Sequence, residues 1–431
     1  MNASVLGGEI RLGVVCPPAH ARALSEYLAD LRQDHKIDSK REYLLDYPGF
    51  DRTFGTSLDM PGWHNSAWAD CSEPNAGLEP ERAGPELGCR IRAGVEELRA
   101  SANPNVIVVF VPRSWKRWER FEIEGERFDL HDFVKAACVQ RGIATQFLRE
   151  ETLDKAHQGE ILLWWLALSC YVKAMRTPWV LDGMDPDLAF LGLGFSLDPT
   201  AGRGKRVLMG CSHVYNAEGL GLSYKLGKLE SSVMRRGNPF LSRGDARRMA
   251  ENALQLFFES RGRMPGRIVV HKNSPIAEDE RRGLLEGFGD VPSVDMLEIT
   301  EEPALRYVAS QIYRGEFKGD GFPVRRGTAV VLDGRRALAW VHGTVDAVDD
   351  QRRYYQGKSR IPAPLVLTRH HGNSTLPVLS EQLLGLSKMD WNSLDLYSKI
   401  PTTLRSSNRI ARIGGLLDRL GANSYDYRLF I

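Results

Sequence analysis

Apolar residues in the first part of the chain occur in short runs that alternate with segments of helical spacing. The runs Ile10–Cys16 and Val106–Val111 predict buried strands, and Ala144–Leu148 predicts another. Helices are predicted at Asp129–Val139 and Glu160–Met175, where apolar side chains recur every three or four residues. Strands that alternate with helices pair in parallel, so this part predicts a Rossmann-like α/β domain.

Residues 50–88 interrupt this alternation because they are rich in Gly, Pro, Asp and Asn. These residues favour turns, so we expect long loops there. A helical stripe of Ile91, Val95 and Leu98 follows the loops.

The pattern changes after Pro178. Three successive strands are predicted first, then a helix, then a strand that ends at His271. A hairpin with an Asp333-Gly334 turn and two terminal helices, near 379–390 and 406–420, follow. A three-strand meander followed by helix, strand and helix is the order of an RNase H-like domain. The boundary between the two domains is predicted near 178/179.

Composition excludes several classes of protein. Hydrophobic residues make up 42% and charged residues 26% of the 431 residues, as in ordinary globular domains. The longest apolar run, Ile161–Ala167, is too short to span a bilayer, and Met1–Glu9 does not resemble a secretory signal. Six cysteines are scattered without a CxxC pair, which disfavours zinc sites and disulfides. We therefore expect a cytoplasmic protein with reduced thiols.

Charge is divided unevenly between the two parts. Residues 1–180 include 22 basic and 26 acidic residues, whereas the rest of the chain includes 35 basic and 29 acidic residues. A polyanion would favour the second part, although an excess of this size does not identify a partner.

One group of polar residues in the first domain suggests a binding site. His131 and Lys135 share one face at the start of a predicted helix, Gln146 lies in the next strand, and Lys173 lies near the end of the next helix. Strand ends beside helix N-termini are natural anion sites. Two ammonium groups and an amide would suit a terminal phosphate, with His131 stacking on a base. The same residues are also compatible with solvated helix surfaces, or with a site for a small phosphorylated ligand.

Other motifs carry less information. Neither a P-loop nor a GxGxxG after a strand is present, and no GxSxG supports a serine nucleophile. The pair His370-His371 is compatible with metal ligation or, more simply, with a polar loop.

The order HxxxK, Gln, Lys and then an RNase H-like domain resembles the MID–PIWI core of prokaryotic Argonautes. Five segments carry the resemblance: Ala144–Arg149, Lys173–Leu181, Ile268–Pro275, Leu386–Trp391 and Tyr427–Ile431. The resemblance covers nearly the whole chain and leaves no room for N-terminal and PAZ domains. It therefore implies a short Argonaute, with a MID domain at 1–178 and a PIWI domain at 179–431.

The resemblance assigns roles to the residues of the first domain. In the family, the MID domain binds the 5′-phosphate of a guide strand. The resemblance assigns this phosphate-binding role to four matching residues: His131, Lys135, Gln146 and Lys173. His131 occupies the position where many members have a Tyr that stacks on a base. Two lysines give charge-assisted hydrogen bonds, which are strong and demand a phosphate.

The family also implies Mg²⁺ at the guide 5′ end. The cation would join the terminal carboxylate of Ile431 to the guide phosphates, because two anions do not sit together without one. Some members offer a Gln ligand one turn before the second lysine, where this chain has Ser169. Coordination by a side chain at that position is therefore not expected.

A slicing PIWI domain holds Mg²⁺ with carboxylates, and here the matching positions carry none. Gly194, Asn273 and Asn408 occupy three of these positions. The resemblance therefore predicts an inactive site. The alternative is an active metal-dependent nuclease that uses other carboxylates, for which Asp198 and Asp245 are candidates.

Partners are implied by the resemblance alone. Short Argonautes usually pair an RNA guide with a single-stranded DNA target. They act with an APAZ-containing effector, often a sirtuin-like or TIR NAD-degrading enzyme and sometimes a nuclease. Activation of the effector would stop cells invaded by plasmids or phages. Arg369 and Lys388 are candidate contacts to the nucleic-acid backbone.

Overall fold

Two central sheets organise the chain. The computed structural model describes residues 8–36, 45–75, 77–123, 126–153, 159–197, 207–216, 218–229, 233–235, 238–307, 310–319, 324–345, 362–393, 398–414, 416 and 425–430.

The first sheet is parallel throughout, with strand order β2-β1-β4-β7 and β3 paired to β1. A separate hairpin, β5–β6, lies beside it. The strands of this half are β1 (Ile10–Cys16), β2 (Leu58–Asp59), β3 (Trp68–Asp70), β4 (Val106–Val111), β5 (Arg120–Ile123), β6 (Glu126–Asp129) and β7 (Thr145–Arg149). The helices are α1 (Ala21–Ala29), α2 (Phe50–Phe54), α3 (Pro80–Ser101), α4 (Lys116–Glu119), α5 (Leu130–Gln140), α6 (Glu150–Leu153) and α7 (Gly159–Lys173).

Helix α3 begins at Pro80, so the prediction of loops through residue 88 was wrong. Gly84 and Gly88, near the start of this helix, were interpreted as turn residues. A Cβ at Gly84 would lie 2.5 Å from the ring of Phe121, and one at Gly88 would lie 2.6 Å from the ring of Phe133. These glycines serve close packing of the helix against its neighbours, and they do not mark turns.

The second sheet has nine strands in the order β17-β18-β19-β14-β13-β8-β9-β10-β20. Its half contains β8 (Leu188–Leu197), β9 (Val207–Asn216), β10 (Gly221–Lys228), β11 (Val233–Arg235), β12 (Asn238–Phe240), β13 (Arg267–Lys272), β14 (Ser293–Glu301), β15 (Ser310–Tyr313), β16 (Glu316–Gly319), β17 (Ala329–Val331), β18 (Arg336–Ala339), β19 (Leu365–His371) and β20 (Tyr425–Asp426). Its helices are α8 (Arg243–Arg261), α9 (Glu278–Phe288), α10 (Leu376–Leu386) and α11 (Thr402–Gly414).

The topology of this sheet confirms the predicted fold class. Strands β8, β9 and β10 form an antiparallel meander, while β13 pairs in parallel with the other edge of β8, and β14 pairs in parallel with β13. This is the strand order of an RNase H-like domain, placed after a parallel α/β domain. The predicted boundary at 178/179 lies in the segment between α7 and β8.

Apolar side chains of both halves share one core. Helices α5 and α7 contribute to it from the first half, and α11 and the C-terminal segment contribute from the second; its members include Ala136, Val139, Leu168, Val172, Met389, Ile410, Ile413 and Phe430. Burial of this surface fixes α11 against the first domain, since apolar burial is worth about 25 cal/mol per Å². The two halves therefore build a site together.

The sequence analysis expects no membrane span and disfavours disulfides. Within the described ranges, no helix is long and apolar enough to cross a bilayer. Five of the six cysteines, at positions 16, 71, 89, 138 and 170, are free thiols.

Candidate functional site

Three of the four predicted binding residues meet where α5, β7 and α7 come together. Lys135 lies in α5, Gln146 is the second residue of β7, and Lys173 ends α7. Their side chains are almost completely buried, with residue exposures of 1%, 4% and 3%. Lysines are rarely buried to this extent unless something compensates their charge.

Hydrogen bonds hold these three side chains in place. The Lys135 Nζ donates to the backbone carbonyl of Thr145 at 2.8 Å, and the Lys173 Nζ donates to the Gln146 Oε1. The Gln146 Nε2 in turn donates to the carbonyl of Phe147 at 2.8 Å. The amide therefore orients one ammonium group while its own orientation is fixed by the strand.

The electrostatics of the site favour an anion. Burial and, to a smaller extent, the charge of Arg409 together lower the pKa of Lys135 to about 7. Burial lowers the pKa of Lys173 well below its usual range, and Lys135 and Arg409 add to this effect. Cations that disfavour one another in a buried site are stabilised by a bound anion.

Arg409 is a member of this site that the sequence analysis missed. It lies in α11, in the second half of the chain, and its charge acts on Lys135, Lys173 and His131. We call Lys135, Lys173 and Arg409 the cation cluster. The sequence offered only an indirect indication of Arg409. It directly follows Asn408, which the resemblance had matched to a catalytic position.

His131 lies at the mouth of the site, with 27% of its side chain exposed. Its Nδ1 lies 2.9 Å from the Asp132 carboxylate, and its ring contacts Phe147 edge-on at a centroid distance of 4.8 Å. Burial lowers the pKa of the imidazole, and the hydrogen bond to Asp132 partly offsets this shift. The ring is therefore neutral near pH 7, and its exposed part is open to a ligand.

Asp129, His131 and Asp132 place three potential metal ligands within 4.8 Å of one another. Each group has another role. Asp129 caps α5 through the Asp132 backbone N–H and forms an ion pair with Arg120, and Asp132 binds His131. These contacts explain the cluster without a metal ion, since capping by Asp stabilises a helix start.

The described residues at the cation cluster do not suit a divalent cation by themselves. The Ser169 Oγ is buried without a hydrogen-bond partner one turn before Lys173, and it offers a neutral oxygen only. Mg²⁺ prefers carboxylates and phosphates, and the cation cluster repels it. Ile431, whose carboxylate was the predicted ligand, lies outside the described residues.

Two of the positions predicted to be catalytically degenerate, Gly194 and Asn408, meet where β8 contacts α11. A Cβ at Gly194 would lie 2.7 Å from the backbone nitrogen of Asn408, so these two predicted positions are neighbours. A Cβ at Gly192 would lie 2.7 Å from the carbonyl carbon of Thr403. Because Cβ atoms do not approach backbone this closely, β8 and α11 can touch here only through glycine.

Buried polar groups also attach α11 to the sheet. The Tyr215 hydroxyl lies 2.5 Å from the Ser406 Oγ, and the His271 Nδ1 lies 2.9 Å from the Thr403 Oγ1. Complete burial lowers the pKa of His271 to about 3, so this imidazole is uncharged. These uncharged groups therefore attach α11 to β9 and β13.

The remaining candidate positions of a nuclease site differ in environment. Asn273 follows β13 and is exposed. His271 pairs with Gly192, so two residues further along both strands Asn273 is level with Gly194. Asp245 is buried at the start of α8, where it binds the Ser242 Oγ at 2.8 Å and pairs with Arg248. That carboxylate supports the helix start. Asp198 lies outside the described residues.

Arg369 and Lys388, the predicted backbone contacts, lie apart from the cation cluster. The Arg369 guanidinium donates to the carbonyls of Gly334 and Ser374. Lys388 follows α10, and its carbonyl accepts from the Trp179 Nε1 at 2.8 Å, next to the segment that joins the domains. His370-His371 end β19, so the expectation of a loop there was wrong.

Comparison with solved structures identifies this arrangement. The chain matches the Argonaute of Clostridium butyricum bound to a guide DNA and a 19-mer target DNA, with a TM-score of 0.65 and 14% identity. The chain has an Argonaute fold. It also matches Aa-Ago with externally bound siRNA (TM-score 0.61, 16% identity) and the Aquifex aeolicus Argonaute (TM-score 0.57, 16% identity).

These matches cover 98% to 99% of this chain and 50% to 52% of the Argonautes to which it was compared. The chain therefore spans about half the length of those Argonautes. Searches of protein-family models and of curated proteins find no match.

Proposed function

We propose that this Argonaute-fold chain binds the 5′-phosphate of a guide strand and uses the guide to recognise a complementary strand without cutting it. The observation that carries the proposal is the cation cluster. Lys135, Lys173 and Arg409 interact through space in one buried site, where Gln146 orients an ammonium group. A terminal phosphate carries up to two charges and offers oxygens to all of these donors.

We take a 5′-phosphorylated RNA guide and a single-stranded DNA target as the working pair. The C. butyricum neighbour holds a guide DNA and a target DNA, and the Aa-Ago neighbour holds siRNA. The phosphate is common to both kinds of guide, so the cation cluster suits either. Base pairing, and not side chains, would then read the target sequence.

Absence of slicing is part of the proposal. The close contact of β8 with α11 at Gly194 supports it, because a carboxylate at that position would displace the helix. Asn273 and Asn408 add neutral amides where metal-dependent hydrolysis needs negative charge. Activity would instead come from a partner, which we propose to be an APAZ-containing effector that degrades NAD or nucleic acid during immunity against plasmids or phages.

Exposed apolar surface supports a protein partner. In the β15–β16 hairpin Ile312 is 70% exposed and Phe317 is 82% exposed, and in the edge strand β17 Val331 is 51% exposed. An edge strand with exposed apolar side chains is a surface that proteins normally cover. In this proposal guide, target and partner meet in the cytoplasm.

Mg²⁺ at the guide 5′ end remains part of the proposal with a restricted role. Guide phosphates and the Ile431 carboxylate would be its ligands, because the described residues supply only neutral oxygens beside three cations. The cation would offset repulsion between those anions. We assign no step in recognition to it.

The nucleic acid that co-purifies with the chain tests the proposed function. It is labelled at the 5′ end with and without phosphatase, then digested with RNase or DNase. Short RNA that labels only after phosphatase treatment supports the proposal, and short DNA with the same behaviour reverses the guide type.

Variants sharpen this test. Lys135→Ala with Lys173→Ala is expected to lose the bound strand, whereas Lys116→Ala, an exposed lysine of the same domain, is the matched control and keeps it. Equal occupancy in the double variant and in the control would refute the assignment of the cation cluster.

A further inference from the structure

Helix α7 ends in a left-handed turn at Met175. The Met175 backbone N–H donates to the Val172 carbonyl at 3.0 Å. The next backbone N–H, that of Arg176, donates to the Tyr171 carbonyl at 3.3 Å. These two bonds define a Schellman cap, in which the residue after the cap has a positive φ, and the φ of Met175 is +62°. Lys173, a member of the cation cluster, is the last residue of α7 and therefore belongs to this cap.

A methionine is an unusual residue for this position. Glycine normally occupies it, because a left-handed backbone brings a Cβ close to the following carbonyl oxygen. Another residue keeps this conformation only where surrounding contacts hold it. The turn at Met175 therefore requires such a contact, and the C-terminal segment of the chain provides one.

Arg428 holds the turn from the second half of the chain. Its Nη1 donates to the Met175 carbonyl at 2.8 Å. The rest of the guanidinium binds the Asp426 carboxylate, from Nε to Oδ1 at 2.9 Å and from Nη2 to Oδ2 at 2.6 Å. A paired contact of this kind fixes the plane of a guanidinium. We call Asp426, Arg428 and the Met175 carbonyl the α7 clamp.

The second sheet fixes the other end of the α7 clamp. Asp426 lies in β20, where it pairs with Ser223 of β10. Its Oδ1 also accepts from the Arg428 backbone N–H at 2.8 Å, at the start of the 3-10 helix Tyr427–Leu429. The first and last residues of that helix are buried in the core that both halves share. The clamp therefore joins the end of α7 to the edge strand of the second domain.

The α7 clamp acts through position and not through charge. The Asp426 carboxylate neutralises the Arg428 guanidinium, and their side chains are only 30% and 23% exposed. The pair therefore adds little net charge to the phosphate site. Lys173 supplies the charge, and its Nζ is useful only where it meets Gln146 and a ligand with good geometry.

We propose that Asp426 and Arg428 are positioning residues of the phosphate site, which hold the end of α7 so that the Lys173 ammonium group is directed at the guide phosphate. This inference rests on the proposed function. Lys173 precedes the clamped carbonyl of Met175 by two residues, so a change in the turn changes the direction of its side chain. Hydrogen bonds weaken steeply when the donor is misdirected.

The test compares 5′-phosphorylated and 5′-hydroxyl strands of one sequence, each bound to the full chain. The ratio of the two dissociation constants is the phosphate preference. Arg428→Ala is expected to lower this preference about tenfold, as for loss of one hydrogen bond to a charged group. Arg90→Ala is the matched control and should keep the preference of the parent. Arg90 also joins a carboxylate, that of Glu86, to backbone carbonyls, which are those of Ser72 and Glu73.

A compensating variant separates positioning from a general loss of structure. Glycine adopts the φ of Met175 without a contact that holds it, so Met175→Gly added to Arg428→Ala should restore the preference. A merely structural role of Arg428 would weaken the binding of both strands alike and leave their ratio unchanged. If Arg428→Ala does not fold, Asp426→Asn replaces it, because an amide breaks the paired contact and keeps the side-chain size. It should lower the preference in the same direction.

The outcomes distinguish this inference from the proposed function. A parent chain without a phosphate preference would contradict the proposed function and the positioning role together. A parent chain with the preference, and equal preferences in Arg428→Ala and Arg90→Ala, would overturn the positioning role alone. A preference that is lost in Arg428→Ala and not restored by Met175→Gly would also overturn it, because Arg428 would then act without the turn.

Discussion

Two faces of helix α11 lie in contrasting environments. Near Thr403 and Ser407 the helix touches β8 through glycines, and near Arg409 it reaches the cation cluster of the first domain. In the first region the close contact with β8 leaves no space for a charged side chain. In the second region three basic side chains come together, and a bound anion would compensate their charge. In the proposed function, one face of α11 therefore serves binding and the other packs on β8.

This comparison has an energetic consequence. Close packing at β8 stabilises the fold and tolerates no added atoms, because interiors are as dense as organic crystals. The cation cluster costs stability until an anion arrives, since a buried charge is expensive without a partner. Substitutions in the two regions that α11 contacts, at β8 and at the cation cluster, are therefore expected to change stability in opposite directions.

The largest effect is expected for Gly194→Asp. The new side chain would meet the backbone of α11 and bury a carboxylate, so unfolding free energy should fall by about 3 kcal/mol or more. Chemical denaturation measures the change. Gly62→Asp, at an exposed position with open space around it, is the control and should change stability by less than about 0.5 kcal/mol. A stable Gly194→Asp protein with metal-dependent cleavage would contradict the closed arrangement.

Replacing both lysines of the cation cluster should separate stability from binding. Lys135→Met with Lys173→Met removes two buried charges and keeps their volume, so the unloaded protein should gain about 1–3 kcal/mol. Affinity for a 5′-phosphorylated strand should fall about 100-fold or more. Thermal unfolding and filter binding report the two effects, and a parallel loss of both stability and binding would indicate a merely structural role.

Arg409→Ala tests the contribution from the second half of the chain. Loss of one guanidinium from the site should weaken guide affinity about tenfold. Arg22→Ala, an exposed arginine paired with Glu26, is the control and should bind as the parent does. If both variants bind equally well, the phosphate site belongs to the first domain alone.

A further effect is expected in the pH dependence of the unloaded protein. The pKa of Lys135 and that of Lys173 are lower in the folded state than in the unfolded state, so above about pH 7 the unfolded chain binds more protons. Stability should therefore rise between pH 7 and pH 9, by up to about 1.4 kcal/mol per pH unit for one such lysine. The double Met variant should lose this rise in stability. If the stability of the parent protein does not change between pH 7 and pH 9, the pKa values of its lysines are not lowered by folding.

Sequence patterns predicted most strands and helices of the fold because each depends on local spacing. Strand β1 matches its prediction at Ile10–Cys16, and β13 extends one residue beyond its predicted end at His271. Helix α3 was missed before residue 88 because Gly84 and Gly88 resemble turn signals until the aromatic rings that fill their space are known. Strand β19 was missed because His370 and His371 suggested a loop.

Part of the candidate site was predictable because it also depends on local sequence patterns. Lys135, Gln146 and Lys173 lie on consecutive elements, so the parallel topology alone suggested that they meet. Arg409 is separated from them by more than half of the chain and is brought to them only by the core shared between the domains. The contact of Gly194 with α11 is likewise a long-range property that local pattern does not encode.

The most direct test of the account compares two oligonucleotides that differ only in a 5′-phosphate. The parent chain is predicted to bind the phosphorylated strand at least about 100-fold more tightly, and Lys135→Met with Lys173→Met is predicted to remove this preference. Equal affinity of the parent chain for the phosphorylated and hydroxyl strands would contradict the claim that the cation cluster is a guide-phosphate site.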